Sequence, residues 1–317
     1  MSLPIQIIKR VVRHILKIKK SEIKVSMGVH ESFLLGLLKI RNERINIVDL
    51  GAALYWGKEV DSSYRTLFDK DACNLFLIDA NAQETQELKQ FFGARATVIT
   101  EIVGNGEEVN FYECNEPSAA SCFMPNIKLI DGLQWFDKPL SIEKTHKLKS
   151  KTLDDIFQHQ QIDFLLMDVQ GAELSIINSS PETLSRVCVI QTEADFIPIY
   201  LNQPLFADID TSLRKKGFQI HTFSCLGLHS FYPFKFSSAP KNILPDKIFL
   251  PKQLTYSKAV YVRNDFANFK GDKNSIIRGA LIMHEIYKSY DIAFRLLREH
   301  DKIFGEDLSE KYLKRVK

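Results

Sequence analysis

Short apolar runs rich in β-branched residues alternate with longer polar or helical stretches from about residue 45 onward. The first, second, fourth and fifth of these runs are almost continuously apolar, which is typical of strands covered by helices on both faces. The alternation predicts an α/β fold with a Rossmann-like, mostly parallel seven-stranded sheet and helices on both faces. The seven predicted strands are 45–50, 74–79, 96–103, 163–169, 187–194, 218–223 and 259–264.

Three regions depart from this alternation. Residues 107–114 could form one additional strand, but the rest of the stretch up to residue 150 contains three prolines and is predicted to be a long loop or lid. Residues 227–257 contain four prolines and are also predicted to be irregular. From Ser275 onward apolar residues recur at helical spacing, which predicts a helical tail that caps the domain or contacts a second copy of the chain.

Residues 4–20 have the pattern of a basic amphipathic helix. Isoleucines and valines fall on one face, lysines and arginines fall on the other, and no acid occurs before Glu22. Such a helix either docks on an anionic membrane surface or packs on its own domain with the basic face in water. A transit peptide is a third interpretation, although the stretch is poor in serine.

Composition and charge exclude several classes of protein. Hydrophobic residues make up 45% and charged residues 26% of the chain, as in ordinary soluble globular proteins, and the net charge of +3 is not the strong basic excess of a nucleic-acid-binding protein. The five cysteines form no CxxC pair, which argues against a zinc site or a disulfide framework and favours a reducing, cytoplasmic compartment. No membrane span or signal peptide is expected, because no apolar run reaches roughly 20 residues and charges interrupt the N-terminal apolar residues.

The first two strands offer a place for a nucleotide-like cofactor. In a doubly wound sheet, ligands bind beyond the carboxyl ends of the strands, where Asp49, Gly51 and Ala52 end the first strand. Asp79 ends the second strand, where an acid can hydrogen-bond ribose hydroxyls. The GxGxxG pattern that cradles a diphosphate is absent, so the loop suits a ligand with a ribose but no phosphates, such as S-adenosylmethionine (SAM). An ordinary strand-to-helix turn is the alternative.

The sequence DFLLMDVQGAELSIINSSPETL at 163–184 is more specific. A buried strand ends in Asp168, Gln170 and Gly171 form a turn, and a helix follows. Here the chain resembles the FkbM family of SAM-dependent methyltransferases, whose signature is a strand followed by D-V-E/Q-G-A-E-L and a helix. The match covers roughly residues 45–265. Further segments that match the family in order are 103–113, 151–156, 190–223 and 253–264.

The chain departs from the family pattern at four positions. Ala53 and Tyr55 replace the Asn and the second Gly of the family's first loop, and Ala80 stands where a Pro is common. Lys258 stands where an acid usually precedes the closing strand. The changes in the first loop affect cofactor binding most directly, because Tyr55 and its neighbour Trp56 could either line the adenosine site or fill it.

The resemblance implies a class I methyltransferase fold with SAM as its cofactor. We therefore divide the chain into a basic N-terminal helix at 1–30, an FkbM-type methyltransferase domain at 31–265 and a C-terminal helical extension at 266–317. The residues that we expect to contact the cofactor are Asp49, Gly51, Ala52, Tyr55, Asp79, Ala80, Asn81, Val103, Asp168, Val169 and Gln170.

Methyl transfer requires an acceptor oxygen held against the methyl group and a base that removes its proton. Asp168 ends the fourth strand and Glu193 ends the fifth, so both should face the cofactor cleft from adjacent positions. We expect one of them to be the catalytic base, with Asp168 favoured. No metal ligands are assigned, although a divalent metal on an acidic pair could acidify a hydroxyl in the same way.

Other polar residues near the predicted site have two interpretations each. Glu173 is either a further site acid or a negative charge favoured at a helix N-terminus. Tyr200 and Gln203 match the family segment after the fifth strand and either line the acceptor pocket or serve packing and a turn. His221 and His229 lie late in the sheet and are interpreted as structural hydrogen-bonding residues.

The leading functional hypothesis is an O-methyltransferase acting on a hydroxyl of a sugar, a polysaccharide, a glycolipid or a related natural product. The alternative is a catalytically silent binding or scaffold protein on a methyltransferase fold, which the altered loop at 51–57 supports. A nicotinamide-dependent oxidoreductase fits poorly without a diphosphate loop. The expected partners are a small-molecule or glycan acceptor, an anionic membrane at the inner membrane face and a second copy of the chain, but no nucleic acid.

Overall fold

The computed structural model describes residues 33–54, 60–134, 140–233 and 253–316. Within these ranges the chain forms nine β-strands separated by helices and turns. The strands are β1 (Ile45–Leu50), β2 (Cys73–Asp79), β3 (Ala96–Thr100), β4 (Glu108–Cys114), β5 (Ile142–Lys149), β6 (Phe164–Met167), β7 (Val189–Asp195), β8 (Phe218–His229) and β9 (Gln253–Arg263).

Seven of these strands form one sheet in the order β3-β2-β1-β6-β7-β9-β8. β9 runs antiparallel to both of its neighbours, and the other adjacent pairs are parallel. Asp49 of β1 is in register with Leu77 of β2 and with Leu166 of β6, so the carboxyl ends of these strands lie side by side. The predicted Rossmann-like, mostly parallel seven-stranded sheet is therefore confirmed.

Helices cover both faces of this sheet, because its strands carry apolar side chains in both directions. One buried cluster joins Ile47 and Phe164 to helices from the two ends of the described chain, and another joins Val48 and Leu165 to helices from its middle. The helices are α1 (Phe33–Ile40), α2 (Arg65–Asp69), α3 (Ala82–Phe92), α4 (Ile127–Ile130), α5 (Leu153–Phe157), α6 (Glu173–Ser179), α7 (Pro181–Arg186), α8 (Phe206–Lys215), α9 (Ser275–Glu285), α10 (Tyr290–Phe304) and α11 (Leu308–Val316).

The predicted helical tail consists of α9, α10 and α11. Ile277, Leu281, Ala293 and Leu297 are fully buried in the same cluster as β1 and β6, so these helices cover one face of the sheet. This packing agrees with the capping interpretation of the tail, whereas the contact with a second copy stays a prediction.

The stretch that the sequence predicts to be a long loop contains β5, and that part of the prediction was wrong. β5 pairs antiparallel with β4 in a separate two-stranded sheet, which confirms the additional strand at 107–114. Most residues of β5 are exposed, and Lys147 forms an ion pair across the strands with Glu108. β5 has little apolar alternation because neither of its faces is buried in the core, and the sequence signal for a strand is therefore weak.

The last two strands of the main sheet also differ from the prediction. β8 continues to His229 and β9 begins at Gln253, so both extend into the stretch that was predicted to be irregular. Register shifts within this pair interrupt the alternation of side chains between the two faces of the sheet. A search for alternating apolar and polar residues therefore does not detect the full length of these strands. The third strand is shorter than predicted and ends at Thr100.

Some predictions fall outside the described residues. These are the basic amphipathic helix at 4–20, the cofactor contact of Tyr55 and the role of Trp56. Among the helices that the structure describes, none is long and apolar enough to cross a membrane.

Candidate active site

A cavity of about 610 Å³ opens at the carboxyl ends of the strands. Gly51, Asp79, Asp168 and Glu193, which lie at or near the carboxyl ends of four neighbouring strands, are in its wall. Segment 116–122, which follows β4, covers one side. This volume lies within the range of small-molecule sites, and the position is where ligands bind in doubly wound sheets.

Gly51, directly after β1, lies in close contact with Asp168, directly after β6. Its φ of 77° lies in the left-handed region, and a Cβ at this position would overlap the carbonyl oxygen of Asp168. The Gly51 N–H donates to the carbonyl oxygen of Ile78 at 2.9 Å. Only glycine satisfies this conformation and this close approach, which together shape the cavity wall.

Asp79 presents a carboxylate at the end of β2. Its Oδ1 accepts a hydrogen bond from the Asn81 N–H at 2.6 Å, and the Asn81 side chain caps α3. Burial raises the pKa of Asp79 to about 6, and the Asn81 N–H opposes that rise. Asp79, Ala80 and Asn81 all line the cavity, and Val103 contributes to the wall from the segment after β3.

Two predicted cofactor contacts lie behind the cavity wall. Asp49 is buried and accepts a hydrogen bond from the Tyr64 hydroxyl at 3.0 Å. Burial, reinforced by the nearby Asp61, raises the pKa of Asp49 to about 8. Ala52 is buried in the core cluster on the same side of the sheet as Ile47. Both residues support the first loop, and neither is among the side chains that line the cavity.

Gln170 connects the two predicted catalytic acids at the other end of the cavity. Its Nε2 donates to Asp168 Oδ1 at 2.7 Å and to Glu193 Oε2 at 2.7 Å. Its Oε1 accepts a hydrogen bond from the Tyr200 hydroxyl at 3.0 Å. The prediction that Asp168 and Glu193 lie side by side is therefore confirmed by the geometry, and Val169 and Gln170 line the same wall.

Burial and repulsion between neighbouring carboxylates favour the protonated forms of Glu193 and Asp195. Burial, followed by the charges of Asp168 and Asp195, raises the pKa of Glu193 well above its usual value. Burial raises the pKa of Asp195 to about 7, against a hydrogen bond from Gln203 Nε2 at 2.5 Å. Two neighbouring acids at this end of the cavity therefore hold their protons more tightly than exposed carboxyl groups do.

The turn after Asp168 depends on Gly171 and Glu173. Gly171 has a φ of 104°, and a Cβ there would lie 3.2 Å from the Phe123 ring. Glu173 is buried, and its two oxygens accept hydrogen bonds from the N–H groups of Val169 and Gly171 at 3.0 Å each. Burial raises the pKa of Glu173 to about 8. Glu173 thus holds the turn together and does not line the cavity.

The sequence-level interpretations of the remaining polar residues have mixed outcomes. Tyr200 lines the cavity, whereas Gln203 lies behind it and bonds the Tyr200 N–H and Asp195. His229 also lines the cavity, and its Nδ1 lies 2.7 Å from Thr255 Oγ1. His221 lies elsewhere and contacts Ser289 Oγ at 2.8 Å, in keeping with a structural role.

The structure adds site residues that sequence reasoning missed. Lys258 of β9 is paired in register with Glu193, and its Nζ lies 3.4 Å from Asp168 Oδ2. Asp195 and Tyr256 line the cavity from β7 and β9. The departure at Lys258 was visible in the sequence, but its position beside Asp168 depends on the antiparallel register of β7 and β9.

The family model described as Methyltransferase FkbM domain matches residues 51–220, which is more than half of the chain. The chain belongs to the FkbM methyltransferase family. The sheet order and the single antiparallel strand described above give this FkbM protein the predicted class I methyltransferase fold.

Solved structures similar to this FkbM protein include two chains described as methyltransferases and one solved with S-adenosylhomocysteine. Magnesium protoporphyrin IX methyltransferase (ChlM) from Synechocystis PCC 6803, solved with bound SAM, is 12% identical with a TM-score of 0.34, over 73% of this chain and 76% of that one. The N-terminal domain of EvdMO1 with S-adenosylhomocysteine (SAH) is 8% identical with a TM-score of 0.32, over 76% and 83%. A protein from Thermoplasma acidophilum that is proposed to be a methyltransferase is 8% identical with a TM-score of 0.29, over 70% of this chain and 70% of that one.

These structural similarities are distant and give no information about the acceptor. A search of curated proteins finds no significant match to the chain. The family assignment therefore rests on the FkbM domain match.

SAM is the cofactor of the FkbM family, and the residues present fit it. Asp79 offers a carboxylate to ribose hydroxyls. Among the described residues, no lysine or arginine lines the cavity, and the nearby Lys258 is paired with Asp168, which suits a ligand with a cationic sulfur and no phosphates. No group of three His, Cys, Asp or Glu side chains in the described ranges could hold a metal ion, and the absence of a metal stays a prediction.

Proposed function

We propose that this protein is a SAM-dependent O-methyltransferase that acts on a hydroxyl of a sugar, a polysaccharide, a glycolipid or a related natural product. The observation that carries the proposal is that Asp168 and Glu193 line the same cavity as Gly51 and Asp79. The cavity thus has an acid suited to a ribose near one end and a linked pair of acids near the other, which is where an acceptor hydroxyl would need a base.

The reaction requires the chain to hold the acceptor and to remove one proton. When bound, SAM supplies a methyl group on a positively charged sulfur. Transfer of that methyl group would replace its bond to sulfur by a bond to the acceptor oxygen and leave SAH, while a base on the protein would take the hydroxyl proton.

We assign the role of base to Asp168. Asp168 lines the cavity, and its Oδ2 forms an ion pair with the ammonium of Lys258 at 3.4 Å. Glu193 is the weaker candidate, because burial and the adjacent carboxylates raise its pKa and favour its protonated form. A protonated Glu193 can instead donate a hydrogen bond to the acceptor.

Gln170 and Tyr200 act as positioning residues in this proposal. The Gln170 amide bonds both acids, and the Tyr200 hydroxyl bonds the Gln170 oxygen. This arrangement fixes the direction in which Asp168 faces. Because the base must lie within hydrogen-bond reach of the hydroxyl, fixing the carboxylate supports the rate of the chemical step.

A methyl-transfer assay tests the proposal. The full-length protein is incubated with SAM and a panel of free sugars, oligosaccharides and glycolipids, while SAH release and the mass of each acceptor are measured. We expect SAH release that depends on at least one acceptor, and a fall in kcat of about 10²- to 10⁴-fold for Asp168→Asn. The matched control is Asp71→Asn. Asp71 is an exposed acid just before the start of β2, at the opposite end of the strand from Asp79, so this substitution should not change kcat.

Two results would contradict the proposal in different ways. An unchanged kcat in Asp168→Asn would mean that another group is the base. Binding of neither SAM nor SAH, with no acceptor methylated, would instead favour the alternative of a catalytically silent binding protein on a methyltransferase fold.

We also propose a location for the enzyme in the cytoplasm, at the inner membrane face. The support is the basic amphipathic pattern of residues 4–20, which suits contact with anionic lipids. Co-sedimentation with anionic vesicles tests this part, and deletion of residues 1–20 should abolish it. An unchanged vesicle-bound fraction after the deletion would contradict it. A homodimer stays a prediction that sedimentation can check.

A further inference from the structure

The cavity is lined by an unusual excess of carboxyl groups. Within the described part of the chain, seven acids and no lysine or arginine contribute to its wall, although the chain as a whole carries a net charge of +3. Acidic groups are therefore concentrated at this site. The seven are Asp79, Glu84, Glu101, Glu116, Asp168, Glu193 and Asp195.

Six of these acids divide between the two ends of the cavity according to the strands that they end or adjoin, and Glu116 lies on the segment after β4. Asp79, Glu84 and Glu101 belong to the ends of β2 and β3 and to the start of α3, where the ribose-binding acid is expected. Asp168 follows β6, and Glu193 and Asp195 lie two residues apart on β7. Because side chains two apart on a strand share a face, the second group forms one acidic floor.

The acidic floor has little positive charge to balance it. Lys258 contacts Asp168 at 3.4 Å, and Gln170 supplies neutral N–H donors to Asp168 and Glu193. Asp195 is bonded by the neutral amide of Gln203. Burial, and after it the neighbouring carboxylates, raise the pKa values of Glu193 and Asp195. An added positive charge relieves the repulsion, whereas an added negative charge increases it.

The wall beside the floor is aromatic and uncharged. Tyr256 and His229 line the cavity with their ring centroids 6.1 Å apart. Burial lowers the pKa of His229, which favours the neutral ring at neutral pH. Ring faces of this kind accommodate the apolar C–H surface of a sugar while the floor meets its polar groups.

We propose that the acceptor is a polyhydroxylated compound with an ammonium group close to the hydroxyl that is methylated, such as an amino sugar, and that sugars carrying a carboxylate or a phosphate are rejected. This inference rests on the proposed function, because it takes the end of the cavity with Asp168, Glu193 and Asp195 as the acceptor site. The ammonium group bonds the acidic floor and favours the ionised forms of Glu193 and Asp195, whereas an anionic sugar meets the same acids and finds Lys258 already paired with Asp168.

The test measures binding of three sugars with the same ring and different charge. D-Glucosamine, D-glucose and D-glucuronic acid are titrated into the full-length protein saturated with SAH, near neutral pH, and dissociation constants are obtained by ligand-observed NMR. SAH fills the cofactor end but lacks the sulfonium charge. We expect glucosamine to bind about tenfold or more tightly than glucuronic acid, with glucose between them.

Variants identify the source of the discrimination. The double variant Glu193→Gln, Asp195→Asn should bring the three dissociation constants together. Glu84→Gln, a lining acid near the cofactor end, is the matched control and should preserve the order of the three sugars. The order in the unmodified protein is decisive by itself if the double variant fails to fold.

The outcomes separate this inference from the proposed function. Equal binding of the three sugars, tighter binding of glucuronic acid, or no binding of glucosamine would overturn the inference whether or not methyl transfer occurs. Preferred binding of glucosamine without methylation of any hydroxyl would support the acidic acceptor site and contradict the proposed O-methyl transfer.

Discussion

The Nε2 of Gln170 lies 2.7 Å from Oε2 of Glu193, and the same amide nitrogen lies 2.7 Å from Oδ1 of Asp168. Two acids on neighbouring strands are thus joined through one neutral side chain. Gln170 has a φ of 54°, which turns its side chain back across the carboxyl ends of β6 and β7. The left-handed turn at Gln170 therefore places the amide that joins the two acids.

Replacement of Gln170 should impair the chemical step more than cofactor binding. Gln170→Leu keeps the approximate size but removes the donors to Asp168 and Glu193 and one of the two acceptors for the Tyr200 hydroxyl. We expect kcat to fall about 10²-fold, because the base is no longer held in one direction. Steady-state kinetics and titration with SAH check this prediction. A loss of SAH affinity as large as the loss of kcat would show instead that Gln170 mainly binds the cofactor.

Gly51→Ala should damage both the fold and the cofactor site. The φ of 77° is unfavourable for alanine, and the new methyl group would overlap the carbonyl oxygen of Asp168. We expect the free energy of unfolding to fall by about 2 kcal/mol or more and SAM affinity to fall with it. Gly36→Ala is the control, since a Cβ there meets nothing within 4 Å and α1 should gain stability. Equal stability of the two variants in urea titrations would refute the argument.

Asp49 should make stability depend on pH. Its pKa is about 8 in the folded protein, above the usual 3.8, so the folded state binds this proton more tightly than the unfolded chain does. This contribution to the free energy of unfolding is greatest below about pH 4 and is lost as the pH rises through about 8. Asp49→Asn keeps an acceptor for Tyr64 and removes the titration.

The comparison that isolates Asp49 is urea unfolding of the protein and of Asp49→Asn at two pH values. We expect the variant to gain about 1 kcal/mol or more over the unmodified protein between about pH 5 and pH 8. A difference between the two proteins that does not change with pH would mean that Asp49 does not titrate in this range.

Arg278 should be important for the attachment of the C-terminal helices. Its guanidinium is buried and pairs with Asp163 at 2.8 Å, Glu43 at 2.7 Å and Asp272 at 2.7 Å. Arg278→Met leaves Asp163 buried without its charge partner, and we expect a loss of about 3–5 kcal/mol in the free energy of unfolding. Arg214→Met, which removes an exposed pair with Asp210, is the control and should change stability little. Similar small effects of both substitutions would contradict the prediction.

The sequence predicts the main sheet well because its strands are buried on both faces. The apolar runs at β1, β2, β6 and β7 make their type and order readable without the structure. β5 is different, since most of its residues are exposed. Charged side chains such as Lys147, which pairs with Glu108 of β4, occupy its positions, so its apolar residues do not alternate regularly. Strand prediction from periodicity fails for such an element.

A site residue could be predicted from the sequence when its position depends only on the end of its own strand. Asp79, Asp168 and Glu193 line the cavity because each lies at or near the carboxyl end of a strand of the same sheet. Lys258 reaches Asp168 only because β9 is antiparallel to β7 and in register with it, which no local pattern specifies. Asp49 is also near a strand end, but its side chain points into the core, where Tyr64 bonds it.

The central claim is that the cavity at the carboxyl ends of the sheet binds SAM through Asp79. Calorimetric titration of the full-length protein with SAM and with SAH tests it most directly, together with Asp79→Asn and the control Asp71→Asn. The account predicts binding in the micromolar range that Asp79→Asn weakens and Asp71→Asn does not. No binding of either compound at millimolar concentration, or equal binding by all three proteins, would contradict it.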